Sequence, residues 1–131
     1  MTVKEHKKIV LVETNIFFSA KIVAQLKQLG YSVDTESSYQ GVKDKAGLGI
    51  SAIIIDLAAR DINVLEMVKK LKDSPETASI PVIGFCGHSE RALLESARSY
   101  GCDVVTTNSK ITSDLPAVLD RIDVIGLKTR R

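Results

Sequence analysis

With 131 residues, 44% of them apolar and 26% charged, the chain has the size and composition of one globular domain with a real core, which excludes wholesale disorder. Its 18 basic and 16 acidic residues leave a formal net charge of +2, so no nucleic-acid or membrane partner is expected. Two cysteines, Cys86 and Cys102, suit a reduced, cytoplasmic protein, and no apolar run approaches the roughly 20 residues that span a bilayer. The first residues lack the apolar stretch of a signal peptide, and the basic ends, KEHKK and KTRR, are expected to be solvated tails.

Short apolar runs alternate with longer amphipathic ones along the chain. Ile9 to Val12 is β-branched and too short for a helix, so it predicts a first strand. Phe18, Ile22, Leu26 and Leu29 follow at helical spacing, with Thr14 or Asn15 to cap the start and Gly30 to close the end. YSVDT predicts a half-buried second strand, and SSYQGVKDKAG a weak helix loosened by Gly41. AIIID is the third strand, and NVLEMVKKLKD a helix with Val64, Val68 and Leu71 on one face. After the polar loop SPETASIP come the strand VIGFC and a helix aligning Leu93, Ala97 and Tyr100, closed by Gly101. CDVVTT is the fifth strand. SDLPAVLDRIDVIG is the fifth helix, with Pro116 in its first turn, where no N–H is needed.

Five strands alternating with five helices predict an α/β fold, a doubly wound parallel sheet covered on both faces by right-handed crossovers. The near-continuous apolar third and fourth strands agree, since central parallel strands are buried on both sides. No linker or repeat interrupts the chain, so residues 1–131 are read as a single domain with its core at about residues 7–125.

Ligands of such sheets gather beyond the carboxyl ends of the central strands. That selects Glu13, Thr14 and Asn15; Asp56; Cys86, Gly87 and His88; and Thr106, Thr107 and Asn108. Glu13 and Asp56 would share one pocket. Their oxygens suit Mg²⁺, and a carboxylate can also attack phosphorus to form an aspartyl phosphate. Two acids with no cation would repel and raise one pKa, with Arg60 a candidate compensating base. Cys86 and His88 form a C-x-H pair, two ligands short of a zinc site, and Cys86 and Cys102 are read as packing residues. Asp61 belongs to the loop after the third strand, with no role assigned. The GLG stretch at Gly47 to Gly49 precedes a strand and is no dinucleotide fingerprint.

VETN, IIIDLAARD, IPVIGFCG and YGCDVV together resemble a bacterial response-regulator receiver domain of the single-domain, chemotaxis-regulator type. The resemblance covers roughly residues 7 to 125. It implies a flavodoxin-like (βα)5 fold with strand order 2-1-3-4-5, and it places the phospho-acceptor role on Asp56. The departures from that family are chemical. Its acidic pair becomes Glu13-Thr14; its switch Ser or Thr becomes Cys86; its aromatic switch residue becomes Val105; its Lys-Pro becomes Asn108-Ser109, with Lys110 two positions on; and Ala59-Arg60 replaces a methionine-proline. Phosphoryl transfer depends on positioning and on neutralising the phosphoryl oxygens, and each lost charge-assisted contact weakens the phosphorylated state by roughly 1.5–3 kcal/mol.

These residues predict an atypical receiver with impaired or absent phosphorylation, a non-enzymatic module of a two-component or phosphorelay pathway that acts by binding other proteins. The resemblance implies a histidine kinase or downstream target as partner, docked on the fourth helix, fifth strand and fifth helix, and it allows a homodimer. The alternative is a conventional receiver, with Asp56 phosphorylated by a histidine kinase and Mg²⁺ held weakly by Glu13, Asp56 and a backbone carbonyl. A flavodoxin-like cofactor binder is disfavoured, because ETNIFF offers a glutamate and two phenylalanines where a phosphate cradle needs Ser, Thr and Gly. An enzyme has no nucleophile-base pair to rest on.

Overall fold

A computed structural model describes residues 7–46 and 49–129, with side chains as far as Ile122. The first six residues, Gly47 and Leu48 of the GLG stretch and the last two arginines lie outside the described residues. Five strands, β1 (Lys8–Val12), β2 (Ser32–Glu36), β3 (Ile50–Asp56), β4 (Val82–Cys86) and β5 (Val104–Thr107), form one parallel sheet in the order β2-β1-β3-β4-β5. The helices are α1 (Ile16–Gln28), α2 (Tyr39–Ala46), α3 (Val64–Asp73), α4 (Arg91–Tyr100), α5 (Asn108–Ser113) and α6 (Leu115–Thr129). This is the expected single flavodoxin-like domain. Among the described residues no helix is long and apolar enough to cross a membrane.

Strand alternation divides the core in two. Val10, Val12, Ile53 and Ile55 point to the side of α2, α3 and α4, where Val42, Val64, Met67, Val68, Leu71 and Ala97 meet them. Ile9, Leu11, Ile54 and Phe85 point to the other side, against Ile22 and Leu26 of α1, Ile111 of α5, and Leu115, Val118, Leu119 and Ile122 of α6. β3 and β4 are buried on both faces, as their unbroken apolar runs require, whereas edge strand β2 is only half covered. Of the residues expected to align on α1, Ile22 and Leu26 are buried and Phe18 half-buried, but Leu29 is the exposed C-cap. On α4 only Ala97 is buried and Tyr100 lies exposed. Gly30 and Gly101 end these helices with φ of +95° and +121°, conformations that a side chain resists.

One element departs from expectation. Between β5 and the last helix the chain makes an extra short helix, α5, and the last helix runs Leu115–Thr129 rather than 113–126. Thr107 Oγ1 accepts from the Lys110 amide at 3.3 Å and starts α5. Pro116 ends it, because with no N–H it cannot bond to the carbonyl of Thr112 four residues earlier. Gln25 of α1 supplies that missing donor, its Nε2 donating to Thr112 O at 2.9 Å. Gly41 also differs from its reading as a mere weakness. A Cβ there would fall on the Glu36 carboxylate, so the glycine leaves room for that side chain against α2.

Candidate functional site

The register of the sheet builds the site. Val12 of β1 stands opposite Ile55 of β3, so the next residues, Glu13 and Asp56, emerge side by side at the carboxyl edge. Glu13 is only 5% exposed. Its Oε2 accepts from the Asn15 amide at 3.0 Å, while its Oε1 is buried and reached by no donor. Asp56 is half-buried, with Oδ1 accepting from the Ala58 amide at 2.9 Å.

Burial pushes the Glu13 carboxyl up from its ordinary 4.5 to about 7; a side-chain hydrogen bond with Asp56 is the next cause, and the charge of Asp56 adds to it. Among the described residues no ion pair involves either acid. Arg60, the candidate compensating base, is exposed and in no ion pair among them.

The residues read from the resemblance as switch-position equivalents carry no charge. Thr14 is exposed. Cys86 ends β4 fully buried, its Sγ 3.9 Å from the Glu90 carbonyl. Burial, then the charges of Glu90 and Asp56, push its thiol up to about 11, so it stays a thiol at neutral pH. Val105 is packed into the core cluster under α3 and α4. Asn108 opens α5, and its Nδ2 lies 4.0 Å from where a Cβ on Gly87 would stand, which sets a neutral amide beside the residue that follows β4. Lys110 does not reach back: it is exposed and pairs with Asp114 at 3.6 Å.

Two further sequence features resolve as structure. Cys102 is buried, its thiol raised to about 12 chiefly by that burial, and its Sγ stands 3.0 Å from where a Cβ on Gly84 would be. Among the described residues no three His, Cys, Asp or Glu side chains are grouped to hold a metal, so Cys86 and His88 remain a bare pair. Asp61 holds a left-handed backbone, φ +64°, and borders a cleft of about 250 Å³ with Ser38, Tyr39, Asn63, Glu66 and Lys70. Neither the cleft nor the Asn15–Glu13 bond is apparent from residue spacing; aspartate's tolerance of positive φ in a loop is the one signal available beforehand.

Glu13 and Asp56 fit a hard cation. Mg²⁺ takes one or two carboxylates and keeps several waters, and the unpartnered Oε1 is an acceptor in want of a donor or a cation. The surroundings suit a phosphoryl group less well, offering a thiol and an amide where a hydroxyl and an ammonium would neutralise charge.

Neither a family model nor a curated protein matches the chain by sequence. Its fold, however, is that of response-regulator receiver domains. The receiver domain of the TMAO respiratory system response regulator TorR is 22% identical, with a TM-score of 0.74 over 92% of this chain and 97% of that one. The receiver domain of a sensor histidine kinase from Pseudomonas aeruginosa PAO1, solved with a magnesium ion coordinated in its active-site cleft, is 20% identical, with a TM-score of 0.75 over 88% and 95%. The chemotaxis response regulator CheY4 of Vibrio cholerae is 17% identical, with a TM-score of 0.68 over 85% and 97%.

Proposed function

We propose that this chain is a cytoplasmic signalling module of the receiver type, acting by protein–protein interaction in a two-component or phosphorelay pathway, with phosphorylation of Asp56 impaired or absent. The observation that carries the reading is the acid pair itself: Glu13 keeps a buried oxygen without a donor beside Asp56, and neither acid is ion-paired among the described residues. A phosphoryl group on Asp56 would bring further negative charge into a pocket where Cys86 offers a weak donor and Asn108 a neutral one. The state of the module is then set by which protein is bound rather than by covalent modification. Output passes through the face of α4, β5 and α6, where the resemblance places partner contacts.

One observation favours the conventional alternative. The same orphaned oxygen is what a Mg²⁺ site offers, and Asp56, half-buried at the strand end, is open enough to accept a phosphoryl group from a histidine kinase. In that case Glu13 and Asp56 hold the ion, which neutralises the phosphoryl oxygens when bound. Glu13 is then oriented through its bond to the Asn15 amide, and Asn108 is a weak donor at the start of α5.

An amide NMR titration with Mg²⁺ and then beryllofluoride, with Asp56→Asn as the control, separates the two. The proposal expects no saturable shift at Asp56, Cys86 or Gly87 on adding beryllofluoride. Shifts that saturate and vanish in Asp56→Asn would replace it with the phospho-receiver.

A further inference from the structure

The cleft beside Asp61 belongs neither to the acid pair nor to the partner face proposed above. It lies between the first turns of α2 and α3 and encloses about 250 Å³. Buried Met67 and half-buried Ile62 and Tyr39 give it an apolar lining. Tyr39 is anchored there, its hydroxyl hydrogen-bonded to the Ser74 hydroxyl at 2.8 Å.

The same cleft keeps apart two charges that a helix normally joins. Glu66 and Lys70 stand four residues apart on α3, acid first, the order and spacing at which opposite charges pair best. Lys69 and Asp73 share that spacing on the same helix and pair at 3.1 Å, although their order is the less favourable one. Glu66 and Lys70 form no such bridge. Lys70 instead leans over Tyr39, its Nζ 5.6 Å from the ring centre. Among the described residues neither Glu66 nor Asp61 is ion-paired. The lining therefore presents two free carboxylates and one ammonium around an apolar surface.

A ligand that answers all three charges carries both signs itself. A lone carboxylate or phosphate would face two acids, and a lone ammonium would face Lys70. The volume lies below the roughly 300–1,000 Å³ of drug-sized sites, too little for a nucleotide. We infer that the cleft binds a small zwitterion, a free α-amino acid with an aliphatic side chain. Its ammonium is held by Asp61 and Glu66, its carboxylate by Lys70, and its side chain packs on Met67 and Ile62. Ser38 supports the carboxylate, because its Oγ accepts from the Gly41 amide at 3.0 Å and keeps its own proton to donate. The site uses neither Glu13 nor Asp56, so it operates whatever the phosphorylation state of the chain.

The test is a titration of L-leucine into the ¹⁵N-labelled chain without Mg²⁺, beside isoamylamine and isocaproate, which each lack one of its charges. L-leucine is expected to shift residues 38, 39, 61 to 63 and 66 to 70 saturably. It should bind at least roughly tenfold more tightly than either analogue. Glu66→Gln and Lys70→Met should each lower that affinity roughly tenfold, whereas Lys69→Met, outside the lining, should leave it unchanged. All three positions are exposed, and unchanged melting temperatures confirm that the variants fold. Absence of saturable shifts at these residues overturns the inference. So does equal binding of isoamylamine, which would make the cleft a cation site, or of isocaproate, which would make it an anion site. Unchanged affinity in both Glu66→Gln and Lys70→Met overturns it too. None of these outcomes bears on beryllofluoride binding at Asp56, so the two proposals fail separately.

Discussion

The two ends of the sheet treat charge in opposite ways. At the amino edge, Lys72 of α3 donates to the carbonyls of Ala78 and Ile80 at 3.0 and 2.9 Å and pairs with Asp103 at 2.7 Å. Asp103 in turn accepts from the Val82 amide at 2.8 Å. Every proton of the ammonium has an acceptor, and the group ties α3, the 74–81 loop, β4 and the turn before β5 together. At the carboxyl edge, Glu13 is more deeply buried than either of these side chains, yet one of its oxygens has no donor and its neighbour is another acid. A buried charge is retained either because it is paired or because something else needs it unpaired. The amino edge is the first case and holds the fold; the carboxyl edge fits the second, which is why the site is proposed there.

The largest expected effect breaks the paired end. The Lys72 and Asp103 side chains keep 17% and 25% of their exposure, so solvent tempers the loss, and Lys72→Ala should cost about 3 kcal/mol, the low end for a broken buried pair. Lys72→Met keeps the stem that packs beneath Gly101 and so separates lost charge from lost packing. Urea unfolding of both variants measures this, and a loss below about 1 kcal/mol for Lys72→Ala would show the two ends to be equivalent.

Next comes the unpaired end, where the sign depends on pH. Below about pH 4.5 the Glu13 carboxyl is protonated whether the chain is folded or not. Between about 4.5 and 7 the native state keeps a proton that the unfolded chain has lost, so stability falls as pH rises, and the loss is complete above about 7. At 1.36 kcal/mol per unit the full loss reaches about 3 kcal/mol. Glu13→Gln, neutral at every pH, should therefore stabilise the chain by about 2 kcal/mol at pH 8 and leave it nearly unchanged at pH 4.5. Unfolding curves at the two pH values test this. If Mg²⁺ occupies the site, it should stabilise the wild type at pH 8 and not Glu13→Gln.

The contrast between the ends was half legible in the sequence. Glu13 and Asp56 could be placed together because each ends an apolar run in a parallel sheet, and such runs finish at one edge. The strand limits of β4 followed from the run VIGFC after the polar loop SPETASIP, and all five residues are buried. The order of the strands came from the family resemblance, since periodicity does not say which strand lies beside which. Lys72 gave no signal, because its acceptors are two loop carbonyls and an acid 31 positions on, set by the path of SPETASIP, which reads as a plain polar loop. The helix α5 was missed because Thr107 reads as the end of a strand and only tertiary contact with Gln25 completes the break at Pro116. Three apolar residues in a row, Ile16 to Phe18, span most of a helical turn. Spacing picks Phe18 for the core but does not reveal that the other two stay in water.

A smaller effect probes the link between the pocket and α1. Asn15 bridges them, its amide bonded to Glu13 and its side chain capping the helix. Asn15→Ala removes the cap and keeps the amide, so it should cost about 1 kcal/mol with no change in the pH dependence of stability. A changed pH profile would mean that the cap also positions Glu13.

The smallest expected effect sharpens the comparison by turning one end into the other. Asn108 follows β5 at the carboxyl edge of the sheet, where the acid pair also emerges, and its amide lies near Gly87. Asn108→Lys places an ammonium on a side chain two atoms longer at the same point. A cation there favours the ionised form of Glu13, lowering its pKa from about 7 and shrinking the loss of stability between pH 4.5 and 8. Asn108 is only half-buried, so the gain at pH 8 should be about 0.5–1 kcal/mol, less than for Glu13→Gln. The double variant Asn108→Lys with Glu13→Gln should lose that gain, because the lysine then faces only one acid. NMR titration of the Glu13 carboxyl carbon reads the shift directly. An unchanged Glu13 titration in Asn108→Lys would mean that the pair is held apart from the start of α5, and that its proton is set by burial and Asp56 alone.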